Sequence, residues 1–289
     1  MGCTGIGLHS GKPVRLELKP APAGHGIRFR RVDRGVEIPA TLEYLTRLDH
    51  ATTLSKGGVS IETVEHLLSA LHGLGVDDAL VEVDGPEVPI LDGSAAPFVI
   101  LIHETGLRPL AQSRKYLKIL EPVEVIRGGK SARLLPGDHF QVTYTIGFDH
   151  PLLRYQKASF RLTPEIFAEK IAPARTFGFL REVETLRKEG LALGGSLDNA
   201  IVIGETGVLN NKLRFEDECV RHKILDAIGD MALLGYPLLG HFEAAKAGHA
   251  LHAALAMKVR QNPQAWTLVS RPQIPSVGVP QGGLVPEPS

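Results

Sequence analysis

The run Arg221-His222-Lys223-Ile224-Leu225-Asp226-Ala227-Ile228-Gly229-Asp230 constrains this chain more than any other stretch. Its apolar residues recur at helical spacing. At about 100° per residue, Val220, Ile224, Ala227, Ile228 and Met231 take one side, while His222, Lys223, Asp226 and Asp230 share the other. A chain that forms this helix must bury the first side and find a use for the second. His222 and Asp226, four residues apart, stand about one turn above each other. An imidazole and a carboxylate on one face make two of the three protein ligands of a catalytic zinc site. Taken alone, the same four polar groups are better read as a solvated face, and the pair gains meaning only if a third ligand and a base exist elsewhere.

A third ligand lies upstream in Thr63-Val64-Glu65-His66. Ile61 to Gly75 is predicted helical, because Val64, Leu67, Leu68, Leu71 and Leu74 form one apolar stripe. Neighbours on a helix diverge by about 100°, so one of Glu65 and His66 can meet a metal while the other reaches a water beside it. Ala70 and Gly73 follow His66 at i+4 and i+7 and let another element approach closely. Two His, one Asp and a free Glu are the parts for splitting an amide or ester with water. His249 follows Gly248 at a predicted strand-to-helix junction, where folds tend to open. Cys219 is either a further ligand or a small core residue; a thiolate would crowd a site that must keep one position open.

A length of 289 residues suggests two domains, each able to bury a core. Lys plus Arg and Asp plus Glu both number 32, so no global field attracts nucleic acid or anionic membrane. A phosphate-bearing substrate would need a local basic cluster. Two distant cysteines, Cys3 and Cys219, argue against a disulfide framework and fit a reducing compartment. Met1-Gly2-Cys3 opens neither a signal peptide nor a myristoylation motif, and no apolar run reaches about 18 residues. A cytoplasmic protein without nucleic-acid partners or a transmembrane segment is expected.

The pattern along the chain is mixed. Val14 to Leu18, Asp77 to Val83, Val123 to Ile126, Phe140 to Ile146 and Pro237 to Ala245 read as strands, and Pro97 to Thr105 and His249 to Val259 as helices. The two halves look alike in layout without a residue-level repeat. The expected architecture is α+β, with a first domain over residues 1–110 and a second over 111–268. A Pro/Gly-rich tail over 269–289 is expected to be poorly ordered.

Six motifs occur in order: Gly5-Ile6-Gly7-Leu8-His9-Ser10-Gly11, Thr63-Val64-Glu65-His66-Leu67-Leu68, Pro89-Ile90-Leu91-Asp92-Gly93-Ser94-Ala95-Ala96-Pro97-Phe98, Ala174-Arg175-Thr176-Phe177-Gly178-Phe179, the Arg221–Asp230 run, and Gly248-His249-Ala250-Leu251. Together they closely resemble the UDP-3-O-acyl-N-acetylglucosamine deacetylases of bacterial lipid A biosynthesis, from about Gly5 to Thr267. The resemblance implies two similar βα-sandwich domains with the active site between them. It implies a zinc-dependent hydrolase that removes acetate from the sugar nitrogen of UDP-3-O-(3-hydroxyacyl)-N-acetylglucosamine. Fe2+ is an alternative ion, and a monomer is expected, although the sequence itself fixes neither the metal used nor the oligomeric state.

By position, the resemblance makes His66, His222 and Asp226 the metal ligands and Glu65 the general base. His249 matches the residue assisting at the oxyanion or leaving amine, Asp230 the carboxylate that orients it, and Thr176 a hydroxyl that helps hold the tetrahedral intermediate. Lys223, Phe148, Phe177, Phe179 and Lys246 are expected to contact substrate. A segment over residues 181–210 is expected to form an acyl-chain tunnel, with Val183, Leu197 and Ala200 as lining. Either His249 or Glu65 protonates the leaving amine; the sequence does not choose. A zinc amidase for another acylated amino sugar, or a non-catalytic relative that binds sugar nucleotides, would use the same residues. Family members usually carry a further segment before the first motif, so here the first domain either lacks an edge strand or begins upstream.

Overall fold

A computed structural model describes residues 1–210 and 212–270. In chain order the first part runs β1 (Gly2–Ile6), β2 (Pro13–Pro20), β3 (Ile27–Arg31), β4 (Val36–Pro39), β5 (Leu45–Arg47), β6 (Thr53–Lys56), β7 (Val59–Ile61), α1 (Glu65–Gly73), β8 (Ala79–Val83) and α2 (Ala96–Thr105). The second runs β9 (Lys115–Ile119), β10 (Val123–Arg127), β11 (Lys130–Leu135), β12 (Phe140–Ile146), β13 (Gln156–Arg161), the short α3 (Pro164–Ile166), β14 (Phe177–Phe179), α4 (Leu180–Lys188), β15 (Ile201–Ile203), α5 (Glu218–Ala232), β16 (Leu238–Ala245), α6 (His249–Gln261) and β17 (Trp266–Ser270). The fold is α+β.

The similarity of the two halves is topological. One sheet has the order β1-β2-β8-β3-β4, and the main path of the other is β10-β11-β16-β12-β13. In each, the strand that comes last in sequence along this path inserts between two earlier hairpins. It runs antiparallel to the second strand and parallel to the third. One helix precedes this inserted strand (α1 or α5) and one follows it (α2 or α6). A parallel neighbour needs a crossover connection, and α1 and α5 lie on those crossovers. The two crossover helices pack against each other, which sets the first half's Glu65-His66 opposite the second half's His222 and Asp226.

Period-2 burial explains the strands: β2 reads exposed-buried-exposed-buried from Pro13 to Leu16, and β12 alternates over its whole length. The inward residues, including Leu16, Phe29, Val81, Val142, Tyr144 and Phe242, join Leu67, Leu71, Ile224 and Ile228 in one apolar core. α2 stops at Gly106, whose φ of 76° suits glycine at a helix end.

Three expectations are corrected. The helix predicted from Ile61 begins only at Glu65, because Ile61 belongs to β7 and Thr63 has φ 57°. The edge of the first sheet is not bare, since Gly2–Ile6 pairs with β2 over five residues. Val269 and Ser270, placed in an irregular tail by their composition, pair with Tyr116 and Lys115 in β9; the remainder of that tail, 271–289, lies outside the described residues. Among the described residues, no helix is long and apolar enough to cross a membrane.

Candidate metal centre and catalytic cavity

The close approach of α1 and α5 is made by a missing side chain. A Cβ on Gly229 would run into the backbone carbonyl of Glu65. The small strip after His66 serves a different neighbour: a Cβ on Gly73 would strike the ring of Phe167. At the crossing, His66, His222 and Asp226 each offer a ligand atom, all within 4.8 Å of one another. His222 and Asp226 are 2% and 3% exposed, so the polar side of α5 is not a solvated face.

The hydrogen bonds show which atoms are left to bind. His222 Nδ1 lies 3.0 Å from the Ala174 carbonyl. A carbonyl only accepts, so Nδ1 carries a proton, which leaves Nε2 as the atom available to a metal. Nε2 lies 3.2 Å from Asp226 Oδ1, and His66 Nε2 lies 3.6 Å from the same oxygen. That oxygen is buried without a hydrogen-bond partner, while Lys223 Nζ donates to Oδ2 at 2.6 Å. A buried carboxylate oxygen facing two imidazole nitrogens, one with its other nitrogen tied to a backbone carbonyl, fits a divalent cation. Burial would raise the Asp226 pKa, but His222 and Lys223 hold it well below the ordinary carboxylate range. Burial would lower Lys223, but Asp226 keeps it raised. A second group, Asp230, His249 and His252, also brings its ligand atoms together. It is closed instead by hydrogen bonds, with both imidazole Nδ1 atoms donating to Asp230 Oδ2 at 2.7 and 2.8 Å.

Glu65 is buried, and its Oε2 accepts the Thr52 backbone N–H at 3.1 Å. Burial raises its pKa, against the pull of His249 and His66. His249 stands at the start of α6. Burial lowers its pKa, but the Asp230 carboxylate overrides this and brings it up to about 9. The cation expected there if Asp230 were close is therefore favoured. The Thr52 hydroxyl donates to Asp230 Oδ1 at 2.6 Å and lies 3.3 Å from His249 Nδ1.

These groups line a cavity of about 230 Å³ that takes in Glu65, His66, Phe148, Thr176, Phe177, Phe179, His222, Lys223, Asp226 and His249, together with Leu8, His50, Thr63 and Glu182. Phe148 packs on Phe177 and Phe179, with ring centroids 5.7 and 5.4 Å away. Thr176 is pinned through its backbone, donating to Gly93 O at 2.8 Å and accepting from Ile201 N at 2.7 Å. Gly93 has φ 85°, and a Cβ there would meet the Asn199 carbonyl, which accounts for the glycine in its motif.

Other expected residues lie elsewhere. Lys246 is exposed with φ 53° and is not part of the cavity wall. Val183, Leu197 and Ala200 are also absent from that wall, and Leu197 is exposed. The segment that holds them forms a small unit in which β14 and β15 pair in parallel around the exposed α4. Cys219 is buried, and burial pushes its thiol up to about 12, so it remains a protonated core residue.

The first motif also finds a reason. Buried Glu87 accepts the backbone N–H groups of His9 and Ser10, both at 2.8 Å, and the Thr63 hydroxyl at 2.9 Å. Its carboxylate occupies the space a Cβ on Gly7 would need. Glu87 thus ties the Gly-rich loop to the turn just before Glu65. Sequence reasoning missed Glu87, Thr52, Tyr144 and His252; only the i, i+3 spacing of His249 and His252 offered a signal.

A family model described as LpxC, UDP-3-O-acyl N-acetylglycosamine deacetylase, matches residues 1–261. The chain belongs to this family. A relative in Anaeromyxobacter dehalogenans (strain 2CP-C), called UDP-3-O-acyl-N-acetylglucosamine deacetylase, is 48% identical and covers 98% of this chain and 95% of its own length. Relatives of the same name in Anaeromyxobacter sp. (strain Fw109-5) and Pseudomonas entomophila (strain L48) are 53% and 52% identical, over 91% and 92% of this chain and 87% and 89% of their own lengths. All six motifs of this LpxC-family chain fall inside the matched range.

Proposed function

We propose that the chain is a metal-dependent N-deacetylase that releases acetate from UDP-3-O-(3-hydroxyacyl)-N-acetylglucosamine, a step of lipid A biosynthesis; its relatives' names support the deacetylation of a UDP-3-O-acyl-N-acetylglucosamine. The observation that carries this reading is the unpartnered Asp226 Oδ1 facing His66 and His222, with Glu65 and His249 on the same cavity. Zinc suits the donor set, and Fe2+ is compatible with it. A divalent ion held by His66, His222 and Asp226 would supply Lewis acidity, lowering the pKa of a water and polarising the acyl oxygen.

The chain's own groups do the rest. Glu65, held by the Thr52 N–H and made more basic by burial, takes the proton of the attacking water. Thr176 and charged His249 stabilise the oxyanion as the carbonyl carbon becomes tetrahedral. The C–N bond then breaks and the amine leaves with a proton from His249, which Asp230 keeps charged. Lys223 neutralises the second oxygen of Asp226 and adds positive charge to the cavity wall. The aromatic group of Phe148 with Phe177 and Phe179 of β14 offers the start of an apolar path for the acyl chain towards α4 and β15.

The test is acetate release from this substrate by the purified chain, before and after chelation and again after zinc is restored. Release lost on chelation and recovered with zinc is expected. A metal-loaded protein that releases no acetate would end the proposal, and release indifferent to chelation would remove the metal from it.

A further inference from the structure

Asp230 accepts more hydrogen bonds than orienting His249 requires. Its Oδ1 takes the Thr52 hydroxyl, and its Oδ2 takes both His249 Nδ1 and His252 Nδ1. His252 is fully buried on α6, one turn beyond His249. Its ring sits edge-on to Tyr144 of β12 and Phe242 of β16, with centroids 5.7 and 5.6 Å away. Its Nε2 lies 2.9 Å from the Tyr144 hydroxyl.

The proton directions in this chain of groups follow from its end. Asp230 is held ionised, burial being outweighed by its two histidines, so it only accepts. His252 must then carry its proton on Nδ1. Burial disfavours a second proton on the ring, so Nε2 accepts from the Tyr144 O–H. All donors point inward to one carboxylate, whose rotamer is fixed from β12, α6 and the turn before β6 together.

We propose that His252 is a positioning residue for the reaction: capped by Tyr144, it donates Nδ1–H to Asp230 and fixes the carboxylate that aims His249 into the cavity. Without that donor, Asp230 Oδ2 has one partner in place of two, and the carboxylate can turn about its Cβ–Cγ bond. His249 then loses a single orientation, although no atom touching substrate or metal has changed. The idea rests on the deacetylase reading for its kinetic arm only.

The experiment compares His252→Leu, His252→Asn and Tyr144→Phe with wild type in kcat, KM, metal content and the proton NMR signal of His249 Nδ1–H, assigned by its absence in His249→Ala. Loss of an outer hydrogen-bond partner typically costs about 10- to 100-fold, and the low end is expected because Thr52 still holds Asp230. His252→Leu should lower kcat about tenfold with KM and metal content unchanged, and should exchange-broaden the His249 proton. His252→Asn, which keeps a donor near the same place, should restore most of that kcat. Unchanged kcat and an unchanged proton signal in His252→Leu would overturn the proposal. Should His252→Leu not fold, Tyr144→Phe decides by the same two readings, because it removes one hydroxyl and keeps the ring. If wild type releases no acetate while the His249 proton still responds to His252, the deacetylase reading fails and the positioning role stands.

Discussion

Gly229 of α5 lies directly against the backbone carbonyl of Glu65 on α1, with no room for a Cβ between them. One turn before Gly229 on α5 lies Asp226, two turns before it lies His222, and immediately after Glu65 lies His66. The contact between a glycine and a carbonyl therefore sets how far apart the ligand atoms are.

Gly229→Ala should push the helices apart. Alanine gains about 1 kcal/mol in helix propensity, but overpacking costs about 1–3 kcal/mol, and a backbone carbonyl cannot swing aside. A lower melting temperature and reduced metal content are expected. Thermal melts and metal analysis check this; a variant that matches wild type in both would show that the helix pair adjusts without cost.

Asp226→Ala should lose the metal almost entirely and leave the half-buried Lys223 without its carboxylate. Removing one partner of a buried pair typically costs about 3–5 kcal/mol; because Lys223 reaches the cavity, stability should fall by less than that. Full zinc occupancy in this variant would take Asp226 out of the ligand set.

Glu65→Gln should keep the metal, because the ligand atoms come from its neighbours. Turnover should drop about 10²- to 10⁴-fold, the usual range for a general base. Turnover near that of wild type would reject the assignment.

Asp230→Asn tests the charge on His249. The folded pKa of His249 is raised to about 9 because the Asp230 carboxylate outweighs burial. With that charge gone, burial prevails and the imidazolium gives up its proton at lower pH. The alkaline limb of the pH–rate profile should therefore move to lower pH while zinc content holds. In the His249→Ala background the Asp230 substitution should move nothing. A limb that stays in place in Asp230→Asn would mean another group titrates there.

The candidate ligand set was readable because its parts are local. His222 and Asp226 are one helical turn apart, and Glu65-His66 is contiguous, so periodicity alone puts each pair on a face. The α+β pattern was readable for the same reason, strand alternation and helical stripes being short-range signals. Helix α1 began later than its apolar stripe suggested because Thr63 takes a left-handed conformation, held by Glu87 from 24 residues away. Thr52 meets Asp230 across 178 positions, and Tyr144 meets His252 across 108. No pattern within either segment carries such a contact; each exists only once the sheets and the helices packed on them are in place.

Thr52 has a consequence of its own. Its amide holds Glu65 and its hydroxyl holds Asp230, so the proposed base and the carboxylate behind the proposed acid hang from one residue immediately before β6. When thermal motion shifts that turn, both are carried along together. The spacing between the two carboxylates is thereby tied to a single residue.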